Sequence, residues 1–201
     1  YYPLQVVRCD ECNFIQLDHV VAPEILYQND YPYEASTTRT GAEHFDEFAA
    51  SIVETLSMTS NDLAIDIGSN VGVLLSGFKN RNVRVLGVDP AENIAKIAAE
   101  NSIETIPDFF DEQVARQILA EYGKAKVLTA SNVFAHIDDL VCLMAGVKLL
   151  MEEDGIFVIE APYFAHLLHN LEYDTIYHEH LSYHSVTPLI QFFERKGMTL
   201  I

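Results

Sequence analysis

The stretch Leu63-Ala64-Ile65-Asp66-Ile67-Gly68-Ser69-Asn70-Val71-Gly72 decides the fold. Five residues of strand character run into a turn of small residues, and a segment with helical spacing follows over 71–78. A strand that passes through such a turn into a helix opens a βαβ unit. Outward from it the alternation repeats. Apolar runs recur at 83–88, 103–106, 127–130 and 156–159, and helical stretches at 92–100, 111–122 and 138–151. Strands separated by helices pair in parallel, so the expected fold class is α/β, a Rossmann-like, mostly parallel doubly wound sheet.

Upstream, Phe45, Phe48, Ala49, Ile52, Val53 and Leu56 form one apolar stripe of a helix over 41–58 that leads into the core domain, 41–201. Residues 1–40 hold Pro3, Pro23, Pro32 and five of the ten Tyr without a sustained period, so they read as an appendage of short strands and turns. Downstream, Thr187 as N-cap and Pro188 at the first helical position open a last helix that ends near Gly197. Residues 198–201 read as the start of another strand.

Composition narrows the partners. Of 201 residues 30 are acidic and 12 basic, a formal charge of −18, and no basic run is present to neutralise phosphates. Nucleic acid and anionic membrane surfaces are therefore poor partners. No apolar stretch approaches the ~18–20 residues of a membrane span, and the first residues lack a signal-peptide layout. A soluble cytoplasmic protein is expected, unless a signal preceded Tyr1. Cys142 lies in an apolar run and reads as a small core residue. Cys9 and Cys12 form a CxxC, which in a reducing compartment suggests metal or redox chemistry. Tetrahedral zinc takes four ligands and this pair gives two, while His19 and His44 lack a ribbon's spacing. The pair is at most half of a metal site, and otherwise two surface thiols.

The turn Gly68-Ser69-Asn70-Val71-Gly72 places backbone N–H groups and a helix start at the end of the first core strand, where a nucleotide-like ligand is expected. Its glycines do not follow GxGxxG, which weakens a dinucleotide reading. Asp66 would repel a pyrophosphate and suits a cationic amino-acid group or a ribose. Asp89, followed by Pro90, stands where ribose hydroxyls lie. Asp108 before Phe109 and Phe110 suits an adenine amino group under an aromatic ring. The pattern is adenosine without phosphates, although each acid alone is also an ordinary helix cap.

This layout resembles the class I methyltransferases that use S-adenosylmethionine. In order, DIGSNVGVLL, GVDPAENIA, NVFAHIDDL and YDTIYHEHLSYHS look like the C-methyltransferases of nucleotide-linked deoxysugars, with the CxxC of a truncated N-terminal zinc module ahead of them. The resemblance covers essentially the whole chain and implies S-adenosylmethionine as cofactor, with Asn132 added to its binding residues. It implies a nucleotide-linked sugar as the small-molecule substrate. The family also has a further CxxC upstream and a further C-terminal domain, and neither is present in these residues.

Five of the eight His fall between His166 and His184, after the fifth core strand, in company with Tyr163, Tyr173, Tyr177, Glu179 and Tyr183. As metal ligands His178, Glu179 and His180 would point in different directions, and HExxH is absent. Acid–base work fits better. C-methylation next to a ketone needs removal of an α-proton, stabilisation of the enolate and a held methyl donor. His180 is read as the base and Glu179 as its orienting carboxylate. Tyr177 is the donor to the developing oxyanion and His136 a second donor. These four positions match the family's functional residues. His166, His169 and His184 read as surface or packing residues. Tyr31 and Tyr33 either close over the substrate from the appendage or form a proline-stiffened turn. Two other readings stay open: a non-catalytic binding fragment, against which the intact YHEH speaks, and a nicotinamide oxidoreductase, against which the missing GxGxxG speaks.

Overall fold

A computed structural model describes residues 1–28, 31–35 and 38–201. In chain order the elements are β1 (Val6–Arg8), β2 (Ile15–Leu17), α1 (Pro23–Tyr27), α2 (Arg39–Leu56), β3 (Leu63–Ile67), α3 (Val73–Lys79), β4 (Arg84–Val88) and α4 (Glu92–Glu100). There follow β5 (Thr105–Ile106), α5 (Glu112–Glu121), β6 (Ala125–Ser131), α6 (Leu140–Leu150), β7 (Met151–Glu160), α7 (Phe164–Asn170), β8 (Ser182–Tyr183) and α8 (Val186–Arg195). They form two compact units. The larger is Pro23–Ser131 with Val141–Ile159, and the smaller is Tyr1–Ala22 with Asn132–Leu140 and Glu160–Ile201.

The larger unit is built on a five-stranded sheet of order β5-β4-β3-β6-β7, with parallel pairing of β3 to β4 and β6 and of β4 to β5. Every residue of β3 is buried, as a central strand with helices on both faces requires. Ala64 and Val127 pack with Ala49, Ile52, Leu74, Leu75, Phe78 and Ala98, which binds α2, α3 and α4 to one face of the sheet. The crossing of α2 over α3 is close because Gly77 has no side chain. A Cβ there would lie 2.7 Å from the Ala49 Cβ and 3.4 Å from the Asp46 Cα and the Phe45 carbonyl. Arg81 braces the same crossing, donating to both carboxylate oxygens of Asp46 at 2.7 and 3.0 Å and to the Gly77 carbonyl at 2.8 Å. Gly77→Val is therefore expected to cost about 1–3 kcal/mol, because backbone cannot move aside for it. Urea unfolding measures this, and an unchanged midpoint would show that the helices separate freely.

The smaller unit holds an antiparallel sheet of order β1-β2-β8, in which Val6 pairs with Leu17 and Ile15 with Tyr183. Its core is Leu17, Leu181 and Tyr183, packed by Ile15, Phe164, Leu167 and Ile176. No described helix is long and apolar enough to cross a membrane.

Most boundaries shift by one or two residues from the sequence reading, and three differences have a physical reason or change an element. The last helix starts two residues earlier, at Val186 with Ser185 as N-cap, so Pro188 falls third in it. Proline is tolerated there because N–H groups of the first turn have no intrahelical acceptor. Residues 198–201 carry no strand. At the other extreme, β7 begins five residues before the apolar run and takes in Glu152, Glu153 and Asp154. It is an edge strand, where charged side chains still reach water.

Candidate functional site

In the larger unit, β3 ends beside β4 and the turn after it is tied to that neighbour: the N–H groups of Gly68 and Ser69 donate to the Val88 carbonyl at 2.8 and 3.2 Å. The turn then passes through left-handed backbone at Gly68, Asn70 and Gly72, with φ of 69°, 49° and 80°. Glycine is required at 72 on a second ground, since a Cβ there would lie 2.8–2.9 Å from the Ile103 side chain. Asp89 fixes the far side. Its buried carboxylate accepts from Asn70 N–H at 2.9 Å and Ala91 N–H at 3.0 Å, so one side chain joins the glycine turn to the start of α4. Burial pushes its carboxyl above the usual carboxylate range, opposed by those two amides. Each oxygen keeps a lone pair for a ligand hydroxyl. Pro90, half-buried, follows it.

A polar row crosses the sheet at this level. Pairing aligns Thr105 with Gly87, Gly87 with Asp66, and Asp66 with Thr129. Thr129 donates its hydroxyl to the Asp66 carboxyl at 2.6 Å. Asp66 is fully enclosed, and burial first, with the charge of Asp89 adding, pushes its carboxyl up to about 7. The hydroxyls of Ser69 and Thr105 stand over Gly87, both buried and without a hydrogen-bond partner. The amides of residues 68, 69, 70 and 72 are spent on Val88, Asp89 and Ser69, so they do not face a ligand as the sequence reading expected. What fits the adenosine and amino-acid ends of S-adenosylmethionine is a buried acid with no cation bonded to it and an unused buried hydroxyl in the turn. Past β5, Asp108 accepts from Phe109 N–H at 2.8 Å. Phe110 is the ring that packs under Gly146 of α6, which leaves the half-buried Phe109 as the candidate ring for a base.

Residues 31–35 cross the glycine turn as a short strap. Asn70 accepts from Ala35 N–H at 2.7 Å and donates to the Tyr33 carbonyl at 3.0 Å. Asn93 of α4 accepts from Tyr31 N–H at 3.2 Å and donates to its carbonyl at 2.9 Å. The Tyr31 ring packs on Val71, Ala91 and Ile94, while Tyr33 is 61% exposed.

The smaller unit brings the other candidates together. Residues 177–180 form a turn closed by His180 N–H to the Tyr177 carbonyl at 3.1 Å, which sets side chains three apart next to each other. Tyr177 Oη and His180 Nε2 are 3.1 Å apart, and the rings are 4.3 Å centre to centre. The Leu181 N–H donates to the Ala135 carbonyl at 2.9 Å, which ties this turn to the 3₁₀ turn Phe134–His136 and places the His136 and His180 rings 5.1 Å apart. Burial first, and His180 second, bring the His136 imidazole down to about 4, so it works as a neutral group. His178 points elsewhere, its Nε2 3.0 Å from the Pro3 carbonyl. Glu179 is half-buried between them. Asn132 belongs to this unit, with its N–H 2.7 Å from the Glu160 carbonyl and its amide 3.3 Å from the Glu160 carboxylate. His184 is buried between Phe14 and Phe134, and His166 and His169 are exposed.

Cys9 and Cys12 lie in the loop between β1 and β2, both as free thiols. The backbone N–H groups of Cys12 and then Glu11 hold the Cys9 thiol below its ordinary range. Among the described residues no three His, Cys, Asp or Glu are grouped to hold a metal ion. Two thiols do not fit a tetrahedral zinc site.

Four residues escaped the sequence reading: Asn93, Thr129, Glu160 and Thr175. Thr129 had a usable signal, a hydroxyl inside the apolar run 127–130. The others act on backbone groups or through chain reversals that leave no local pattern.

Residues 42–201 match the profile of a family described as Methyltransferase domain. The chain is 38% identical over 200 residues to C-methyltransferase NovU of Streptomyces niveus; the alignment takes in 100% of this chain and 47% of that protein, so the chain spans about half the length of this curated relative. It superposes on a SAM dependent methyltransferase from Archaeoglobus fulgidus with a TM-score of 0.59, at 20% identity over 81% of this chain and 71% of that one. A magnesium protoporphyrin IX methyltransferase from Synechocystis, solved with bound SAH, gives 0.55 at 15% identity over 78% and 72%. At such identities the solved structures speak for the fold, which is the Rossmann-like α/β fold of S-adenosylmethionine-dependent methyltransferases.

Proposed function

Because this chain belongs to the methyltransferase-domain family, we propose that it is an S-adenosylmethionine-dependent C-methyltransferase acting on a carbon next to a ketone in a nucleotide-linked keto-deoxysugar. The carrying observation is the His180 ring, held between Tyr177 and His136 with one nitrogen next to a phenol. Methylation at oxygen or nitrogen uses a lone pair that is already there, whereas methylation at carbon needs a proton taken off, and this cluster is equipped for that. The 38% identical relative is a C-methyltransferase, which supports the same reading.

The cofactor supplies an electrophilic methyl group. Asp66, the turn residues Gly68, Ser69, Asn70 and Gly72, Asp89 with Pro90, and Asp108 with Phe109 are the residues proposed to hold it, and Asn132 is proposed with them. His180 Nε2 takes the α-proton, and the C–H electron pair passes into the enolate. Tyr177, whose hydroxyl turns from Nε2 to the substrate as that nitrogen takes the proton, and the neutral His136 donate to the enolate oxygen. The charge of the adjacent Glu179 favours the imidazolium, and Tyr31 and Tyr33 contact the sugar nucleotide. Zinc enters no step.

S-Adenosylhomocysteine at 100 times its dissociation constant is expected to stabilise the folded chain by about 2.7 kcal/mol. S-adenosylmethionine labelled on its methyl group, incubated with a keto-deoxysugar nucleotide, is expected to give product labelled on carbon. Label on oxygen or nitrogen would refute C-methylation, and stabilisation by NAD alone would move the chain to the oxidoreductases.

A further inference from the structure

The His180 ring has two polar neighbours of different kinds. Nδ1 lies 2.8 Å from the backbone carbonyl of Thr175, and Nε2 lies 3.1 Å from the Tyr177 hydroxyl. A carbonyl only accepts, so in the neutral ring the proton sits on Nδ1. Nε2 then carries the lone pair, and Tyr177 donates to it. The carbonyl itself is held. Thr175 closes the 3₁₀ turn Tyr173–Thr175, and both its N–H, at 3.3 Å, and its hydroxyl, at 2.7 Å, donate to the carbonyl of Glu172. Glu172 is anchored in turn, by its N–H to the Leu167 carbonyl at 3.0 Å and by its carboxylate, which accepts from Asn170 at 2.8 Å. Two bonds from one residue to one acceptor fix that residue's orientation, and with it the direction of its own carbonyl.

We infer that Thr175 is a positioning residue for His180: its carbonyl keeps the proton on Nδ1, and its hydroxyl keeps that carbonyl in place, so that Nε2 is presented as the basic atom. When Nε2 takes the substrate proton, the C–H electrons pass to the enolate and the imidazolium keeps its Nδ1–H on Thr175. The catalytic consequence rests on the reading under Proposed function; the tautomer does not.

The test is ¹⁵N NMR of the full chain labelled at histidine, with the His180 signals identified by their loss in His180→Asn. Wild type is expected to show a protonated Nδ1 and an unprotonated Nε2 in the neutral ring. Thr175→Val, alike in shape but without the hydroxyl, is expected to move population to the Nε2–H tautomer. It should also lower kcat roughly 10-fold with KM for S-adenosylmethionine unchanged, and Thr175→Ser should restore both. A protonated Nε2 in neutral wild type overturns the inference, as does a Thr175→Val chain with unaltered tautomer and kcat. If Thr175→Val does not fold, the wild-type spectrum decides alone. That spectrum needs neither substrate nor turnover, so a missing α-proton exchange with Nδ1–H intact would count against the proposed reaction and not against the role of Thr175.

Discussion

His180→Asn is expected to lower methyl transfer by about 10²–10⁴-fold, the range for losing a positioned general base. Asparagine is polar and smaller than the imidazole, but it has no basic nitrogen. In D₂O with S-adenosylhomocysteine and the keto-sugar nucleotide, exchange of the α-proton is expected to disappear with methylation, since one atom serves both. Affinity for S-adenosylhomocysteine is expected to stay within about 2-fold, as a residue confined to proton transfer requires. His178→Asn is the control. It sits two residues away with its Nε2 on the Pro3 carbonyl, and its loss is expected to leave exchange unaltered. Exchange that survives in His180→Asn would transfer the base to Tyr177 or His136.

Asp66→Asn is expected to stabilise the ligand-free chain and spoil cofactor binding together. In the folded chain the Asp66 carboxyl is raised to about 7, chiefly by burial. Unfolded, it titrates near ~3.9. Between these values the folded state holds a proton that the unfolded state has released. Stability therefore falls as pH rises through that window and levels off above it. Asparagine keeps the acceptor for Thr129 and has no charge to bury. Its advantage over wild type is expected to be small at pH 4 and to widen to about 2–4 kcal/mol by pH 8, a shift of roughly three units at 1.36 kcal/mol each. Urea unfolding at the two pH values measures this. Calorimetric titration is expected to show at least ~10-fold weaker S-adenosylhomocysteine binding, from loss of a charge-assisted bond to the ammonium. An equal stability gap at both pH values would show that Asp66 is ionised in the empty site.

Much of the larger unit was legible because its signals are local. The run at 63–67 is β3 to the residue, 92–100 is α4, and Asp111 caps α5 by accepting from Val114 N–H at 2.8 Å. The smaller unit was not, because its sheet joins Ile15 and Gln16 to residues more than 160 positions later, and period alone carries no partner. The same divide runs through the candidate site. Asp66, Asp89 and the glycine turn announce themselves by following apolar strands. Thr175 acts through a carbonyl, a group every residue possesses, so its identity gives no hint of the direction in which that carbonyl points. Asn70 gave half a signal: asparagine tolerates left-handed backbone, which marks the turn, but nothing in GSNVG says that its amide reaches the strap.

On the strap's side its four hydrogen bonds to the two asparagines use main-chain atoms only. The four bonds to Asn70 and Asn93 end on the N–H of Tyr31, the carbonyl of Tyr31, the carbonyl of Tyr33 and the N–H of Ala35. Such a fastening is indifferent to what the held residues carry. Tyr33 and Glu34, both exposed, are free to change without loosening it, whereas either asparagine, once replaced, releases two bonds at a stroke. Positions 33 and 34 can therefore vary at little risk to the strap, and the two asparagines are what preserve that freedom.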